Sequence, residues 1–434
     1  MRVGGALTRP RGAARSGHSP DFQHRSAWRY SAARHHDNPR SEETPMSLNT
    51  ALDALLKAST EKGDIPGVVA TVADRNGVIY EGAAGMRATG GSVPMTLDTF
   101  FWFASLTKGI TATAAMQLVE QGKLDLDAPA GKVLPELGKV QVRTGWNADG
   151  SPILRAPKSP VTLRNLLTHT SGFAYEIFNK DVVRELESTG TGNVISGSRA
   201  TLNRALVRDP DTAWEYSVSI DWVGRMVEAA SGLRLRDYMA KHIFAPLGMN
   251  DVSFQASAEQ LSRGAAMHAR LPDGNLVAIP FGIPPDVELD MGGHALSGRV
   301  PDYLRFCRAL LNGGVLDGNR ILSPTTVELM GRNHIGDIKI GEIFTAMPQL
   351  SNDCHLHPGI DLKWGLSFIL NVQATPEGRA PGTMAWAGLP NAYYWIDRKS
   401  GVTVVIATQI MPFWDAKVRT MCDEFERQVY QHIG

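Results

Sequence analysis

Apolar positions recur at helical spacing near both ends of the chain. Leu48, Leu52, Leu55 and Leu56 share one side of a predicted helix over 48–57, which Ile65-Pro66-Gly67 ends. Val418, Met421, Cys422, Phe425 and Val429 form the same kind of stripe and predict an amphipathic C-terminal helix. Residues 68–73 and 78–85 are small and β-branched, and they flank Asp74-Arg75-Asn76-Gly77, where Asn-Gly signals a hairpin turn. Strands are also predicted at 364–372, 383–387, 392–396 and 402–409, with a hairpin loop at 397–401. A helical pattern starts at Ser105 and stops at Gly122. From 125 to 290 the pattern is mostly helical, with helices at 161–168, 219–231 and 235–243 and loops at 138–158 and 190–197. Helices are predicted again at 301–312 and 323–330.

This order predicts an α/β protein of the α+β type. An antiparallel sheet flanked by helices would be built from both chain ends, 46–135 and 290–434, around an inserted, mostly helical domain at 136–289. A cleft would lie between them. Residues 1–45 differ: eight arginines sit among Gly, Ala, Ser, His and Pro without any apolar period. They read as a disordered or non-native extension, with translation expected to start at Met46.

Composition removes several function classes. Lys plus Arg and Asp plus Glu both number 44, so no global charge favours nucleic acid or an anionic membrane. No apolar run has the length of a membrane span. The three cysteines, Cys307, Cys354 and Cys422, are widely spaced and suit reduced thiols in a cytoplasmic protein. No Cys/His cluster has metal-site spacing, and His355 with His357 reads as a polar loop. Neither Gly-x-Gly-x-x-Gly nor a P-loop is present. No metal or organic cofactor is expected, and oligomeric state is left open.

The chemistry centres on 100–110, where an aromatic run ends in Ser105-Leu106-Thr107-Lys108. If Ser105 opens a helix, Lys108 lies one turn on, on the same face. A serine hydroxyl is a weak nucleophile until a base takes its proton, and a lysine whose pKa is lowered by burial can do so. Taken alone, a helix cap with a surface lysine is the plainer reading. Two later segments change that. In Trp214-Glu215-Tyr216-Ser217 a tyrosine at a helix mouth can shuttle a proton, and a nearby ammonium would lower its pKa. In Trp386-Ala387-Gly388-Leu389 a strand ends in small residues, which lets backbone N–H groups approach a substrate carbonyl.

In order and approximate separation, Ser105-x-x-Lys108, Tyr216-Ser217 and Trp386-Ala387-Gly388 resemble the serine β-lactamase and penicillin-binding-protein superfamily. Segments 122–127, 166–172, 244–251 and 408–414 agree, and the resemblance runs from Met46 to the C-terminus. Within that superfamily the chain looks like the class C fold and its family VIII carboxylesterases. Val218 stands where class C β-lactamases carry Asn, and Trp386 where they carry Lys. Both departures favour neutral esters over anionic β-lactams.

The resemblance implies a serine hydrolase that cleaves short-chain carboxylic esters through an acyl-enzyme on Ser105, with Lys108 and Tyr216 as the acid/base pair. A β-lactamase, amidase or peptidase on the same scaffold is the alternative, and a non-catalytic binding protein is the rival from another class. The backbone N–H groups of Ser105 and Leu389 would form the oxyanion hole. Trp102, Trp214 and Trp386, with Ala387, Gly388, Val218 and His294, would contact substrate. His169 is expected to pack at a helix end, Asp125 and Asp127 to cap a loop, and Ser367 to be structural in a strand.

Overall fold

The computed structural model describes residues 46–433, so the expectation for 1–45 falls outside the described residues. Asp74 turns the chain between the first two strands. Its Oδ1 accepts the backbone N–H groups of Asn76 and Gly77, both at 2.7 Å, as β1 (Gly67–Asp74) gives way to β2 (Val78–Gly85). β1 is buried almost throughout because it is an inner strand. Its other neighbour comes from the far end of the chain.

Five further strands complete the main sheet: β3 (Leu362–Trp364), β4 (Ile369–Asn371), β5 (Met384–Gly388), β6 (Ala392–Asp397) and β7 (Val402–Ala407). The spatial order is β3-β4-β5-β6-β7-β1-β2, with every neighbouring pair antiparallel. Val69 of β1 lies opposite Ala407 of β7. The fold is therefore mixed α/β with an antiparallel sheet, as expected.

Five helices bear on the site: α1 (Leu48–Glu61), α2 (Thr107–Glu120), α3 (Ser219–Ser231), α4 (Val300–Leu311) and α5 (Ala416–Ile433). The strand period of two sorts them onto the two faces. Tyr394 of β6 points to α4, with its ring 5.2 Å from Tyr303. Tyr393, its neighbour, points the other way, where Arg419 of α5 stands 5.1 Å from its ring. On that second face Phe425 of α5 also meets Tyr80 of β2. The buried stripe of α5 is Val418, Met421, Cys422, Phe425 and Val429, together with Glu426. α2 is different: every residue from Thr107 to Leu118 is buried, so it runs through the core rather than over it.

Three elements differ from the sequence reading. Residues 364–372 are not one strand; Gly365–Phe368 turn the chain tightly between β3 and β4, and Ser367 sits there at φ +77°. The 138–158 loop holds an antiparallel hairpin, Val142–Trp146 with Pro152–Arg155. The 235–243 helix breaks after Met239 into a wider turn at Ala240–Phe244. The first was hidden because Leu366 and Phe368 are as apolar as strand residues, and the second because its short strands are rich in polar residues and glycine.

Candidate active site

Ser105 lies in a single 3-10 turn, Ala104–Leu106, and α2 begins two residues later at Thr107. The serine thus precedes the α-helix instead of opening it. Ala104 has φ +47°, a left-handed conformation that an alanine adopts only when its surroundings force it. The surroundings are specific. Phe103 N–H donates to Leu296 O at 2.9 Å, Thr107 Oγ1 donates to Ala104 O at 2.6 Å, and Leu296 N–H donates to Thr107 Oγ1 at 3.0 Å.

Lys108 is one turn further on and completely buried. Its Nζ lies 3.1 Å from Ser105 Oγ, 3.2 Å from Tyr175 Oη and 2.8 Å from Gly293 O. Burial pulls its pKa down to about 7, against the opposing pull of the Asp221 carboxylate. A neutral amine has two N–H bonds and one lone pair. The Tyr175 oxygen and the Gly293 carbonyl can take the two N–H bonds, which leaves the lone pair facing Ser105.

Tyr216 enters from the extended segment ahead of α3, pinned where Tyr175 N–H donates to its carbonyl at 3.1 Å. Trp386 Nε1 of β5 donates to Tyr216 Oη at 3.1 Å, and Lys108 Nζ sits 4.8 Å from the phenol ring. The sequence argument expected the lysine to lower this phenol's pKa. Burial instead raises it well above its ordinary value, in spite of the contacts with Ser105 and Trp386. Tyr216 therefore holds its proton at neutral pH.

An open cleft lies over these groups. Ser105, Tyr216, Trp102, Trp386, Ala387, Leu389 and His294 all line it. Gly388 sits just under it, against the backbone of Phe103. Trp214 and Val218 stand apart. Trp214 stacks on Tyr216 at 6.2 Å from behind, and Val218 is fully buried at the start of α3. Neither is part of the cleft wall.

His294 turns its Nδ1 to within 3.7 Å of Asp221 Oδ1, and burial pushes its pKa down to about 3, so the ring is neutral. His169 ends the short helix Leu163–Thr168 in a left-handed conformation, and its Nδ1 pairs with Ser217 Oγ at 3.1 Å. Its ring packs edge-on to Tyr216, and it does not line the cleft. Asp125 Oδ1 caps the Asp127 and Ala128 N–H groups, and Asp127 pairs with Arg164. Among the described residues no cluster could hold a metal ion.

Sequence reasoning assigned no role to three groups that touch Lys108 or its supports: Tyr175, Gly293 and Asp221. Asp221 had a visible signal, being an acid on the buried face of α3 beside Ile220, Trp222 and Val223. Gly293 had one too, because its Gly-Gly pair abuts Asp221: a Cβ there would come within 2.6 Å of the carboxylate. Tyr175 had none, since only the fold brings it next to Lys108. The apolar wall of Ile177, Phe178, Val194, Ile195 and Phe413 was equally illegible.

The Beta-lactamase family model matches residues 52–422. The chain is 28% identical to ML-236A carboxylate methylbutanoyltransferase of Penicillium citrinum, over 91% of this chain and 97% of that one. It is 29% identical to lovastatin esterase of Penicillium rubens, covering 88% and 98%. Among solved structures, a mutant of simvastatin synthase from Aspergillus terreus superposes with a TM-score of 0.76 at 28% identity, covering 89% and 95%.

Proposed function

As the chain belongs to the beta-lactamase family, we propose that it cleaves short-chain carboxylic esters through an acyl-enzyme on Ser105. The observation that carries this reading is the environment of Lys108, a buried amine whose two N–H bonds have acceptors and whose lone pair is left for the serine. Lys108 takes the Ser105 proton as Oγ attacks the ester carbonyl. The backbone N–H groups of Ser105 and Leu389 receive the negative oxygen. Tyr216 protonates the departing alkoxide, leaving phenolate beside the Lys108 ammonium. Water then gives its proton to the phenolate and attacks the acyl carbon. Ser105 leaves with the Lys108 proton, and the site is restored.

The same acyl-enzyme can be resolved by an alcohol instead of water. Two observations favour this second reading. The cleft wall is apolar, with Trp102, Ile177, Phe178, Val194, Ile195 and Phe413, which suits a bulky acceptor and disfavours water. Similar proteins also include a methylbutanoyltransferase beside an esterase. The Trp386 side chain, in place of a cation, supports neutral acyl groups over β-lactams.

Ser105→Ala assayed on p-nitrophenyl butyrate tests the mechanism. Activity should disappear, and activity within a few-fold of wild type would sink the reading. A phosphonate inhibitor should leave its adduct on Ser105; no adduct would revive a binding role, and an adduct on Ser367 would move the nucleophile. Adding a long-chain alcohol separates the two fates of the acyl group, because transfer yields the new ester while hydrolysis yields free acid. Nitrocefin turnover compared with ester turnover measures the β-lactamase alternative.

A further inference from the structure

Asp221 is a buried carboxylate that the chemistry above does not use. It lies on the first turn of α3 at 2% exposure, below the cleft floor. Its two oxygens go to two different supports. Oδ1 accepts the Gly293 N–H at 2.7 Å, and Oδ2 accepts the Tyr175 hydroxyl at 3.3 Å. Gly293 and Tyr175 are the same two residues that accept from Lys108 Nζ, at 2.8 and 3.2 Å. Gly293 cannot be moved off this contact by a side chain, because it has none and no Cβ would fit.

We propose that Asp221 is the positioning residue of the catalytic base: by holding Tyr175 and Gly293 it orients the two N–H bonds of Lys108 and turns the amine lone pair toward Ser105. The inference rests on the reading of Lys108 as general base. The arrangement accounts for the presence of a carboxylate in a place where burial is costly. Apolar packing would satisfy neither the Gly293 N–H nor the Tyr175 hydroxyl.

The charge of Asp221 has its own effect. Lys108 from α2 and Tyr175, with His294 and Gly293 from the glycine-rich segment, surround it, while Tyr216, Glu176 and Arg204 lie in the next ring of buried polar groups. His294 is neutral there, and Glu176 is paired with Arg204 at 2.7 Å. The unpaired positive charge nearest the carboxylate is therefore that of Lys108. Asp221 stabilises the ammonium and raises the pH at which the free amine forms.

Asp221→Asn separates position from charge, since an amide oxygen can still accept the Gly293 N–H. The acid limb of the kcat/KM profile on p-nitrophenyl butyrate should move down by about one pH unit, while the plateau falls roughly tenfold. A merely structural role would lower the plateau and leave the limb in place, so an unmoved limb overturns the proposal. The rate of Ser105 labelling by a fluorophosphonate, followed against pH, reports the same limb on whatever fraction of the protein is folded. If Asp221→Asn yields no folded protein, Tyr175→Phe decides. It cuts one of the two bridges, and the limb should again move down; an unmoved limb overturns the proposal there too. Ser105→Ala is the control for the underlying reading: residual activity in it would refute the acyl-enzyme itself, whatever Asp221 does.

Discussion

Gly388 and the carbonyl of Phe103 adjoin so closely that a Cβ on Gly388 would lie 2.3 Å from the oxygen. The last residue of β5 thus presses against the turn that presents Ser105. This contact carries the sheet's geometry into the site. It also brings Trp386 and Leu389, on either side of Gly388, to the cleft together with Ser105. Gly388→Ala must displace one backbone or the other. Activity on p-nitrophenyl butyrate should drop by at least about tenfold, and stability by roughly 1–3 kcal/mol in urea denaturation.

Trp386 donates from Nε1 to Tyr216 Oη at 3.1 Å, and its ring packs 4.9 Å from the tyrosine ring. Trp386→Phe keeps an aromatic ring and removes the donor. A neutral hydrogen bond contributes about 0.5–1.5 kcal/mol, so kcat should fall roughly three- to tenfold while the thermal midpoint moves little. A loss confined to KM would show that the indole binds substrate and leaves the phenol alone.

The pH profile follows from Lys108. On the reading of Lys108 as general base, the form that acts is the neutral amine, and burial lowers its pKa to about 7. Below that pH kcat/KM should fall about tenfold per unit, and above it the rate should level. Tyr216 keeps its proton throughout this range, because burial pushes the phenol up. Stability has the same sign. Between about pH 7 and the ordinary lysine value of 10.5 the unfolded chain binds a proton that the folded chain lacks. Stability therefore rises with pH across that window, while Asp221, raised to about 6, acts only below it. Lys108→Met should flatten the rise in urea denaturation.

Arg204 and Glu176 form a buried ion pair, and Glu176 Oε1 accepts the Val194 N–H at 2.7 Å. Val194 and Ile195 belong to the cleft wall. Arg204→Leu leaves a buried carboxylate without its partner, which costs about 3–5 kcal/mol. If the protein remains folded, KM for longer acyl chains should rise, since the wall is disturbed. An acyl-chain-length series would show this.

The sheet was legible wherever β-branched runs met a clear turn. Asn76-Gly77 marks the β1–β2 hairpin, and Val402–Ala407 reads as a strand at sight. The tight turn at Gly365–Phe368 escaped because Leu366 and Phe368 are as apolar as strand residues. The side chains around Ser105 were legible where local spacing carries the chemistry, as from Ser105 to Lys108. Trp214, expected at the cleft as an aromatic, instead stacks on Tyr216 outside the cleft wall. Tyr175 shows the limit most plainly. Its hydroxyl meets Lys108 across 67 positions of sequence, and no periodicity encodes that contact.

The pairing of β1 with β7 joins positions 334 apart, as between Thr71 and Val405. During synthesis the β1–β2 hairpin must wait for nearly the whole remaining chain before its inner edge is covered. Closing so large a loop also places the sheet among the slow events of folding. Ser105 and Lys108 are made early, Tyr216 midway and Trp386 late. On the proposed reading, a growing chain therefore carries Ser105 long before the indole that supports Tyr216, and activity is the last property it acquires.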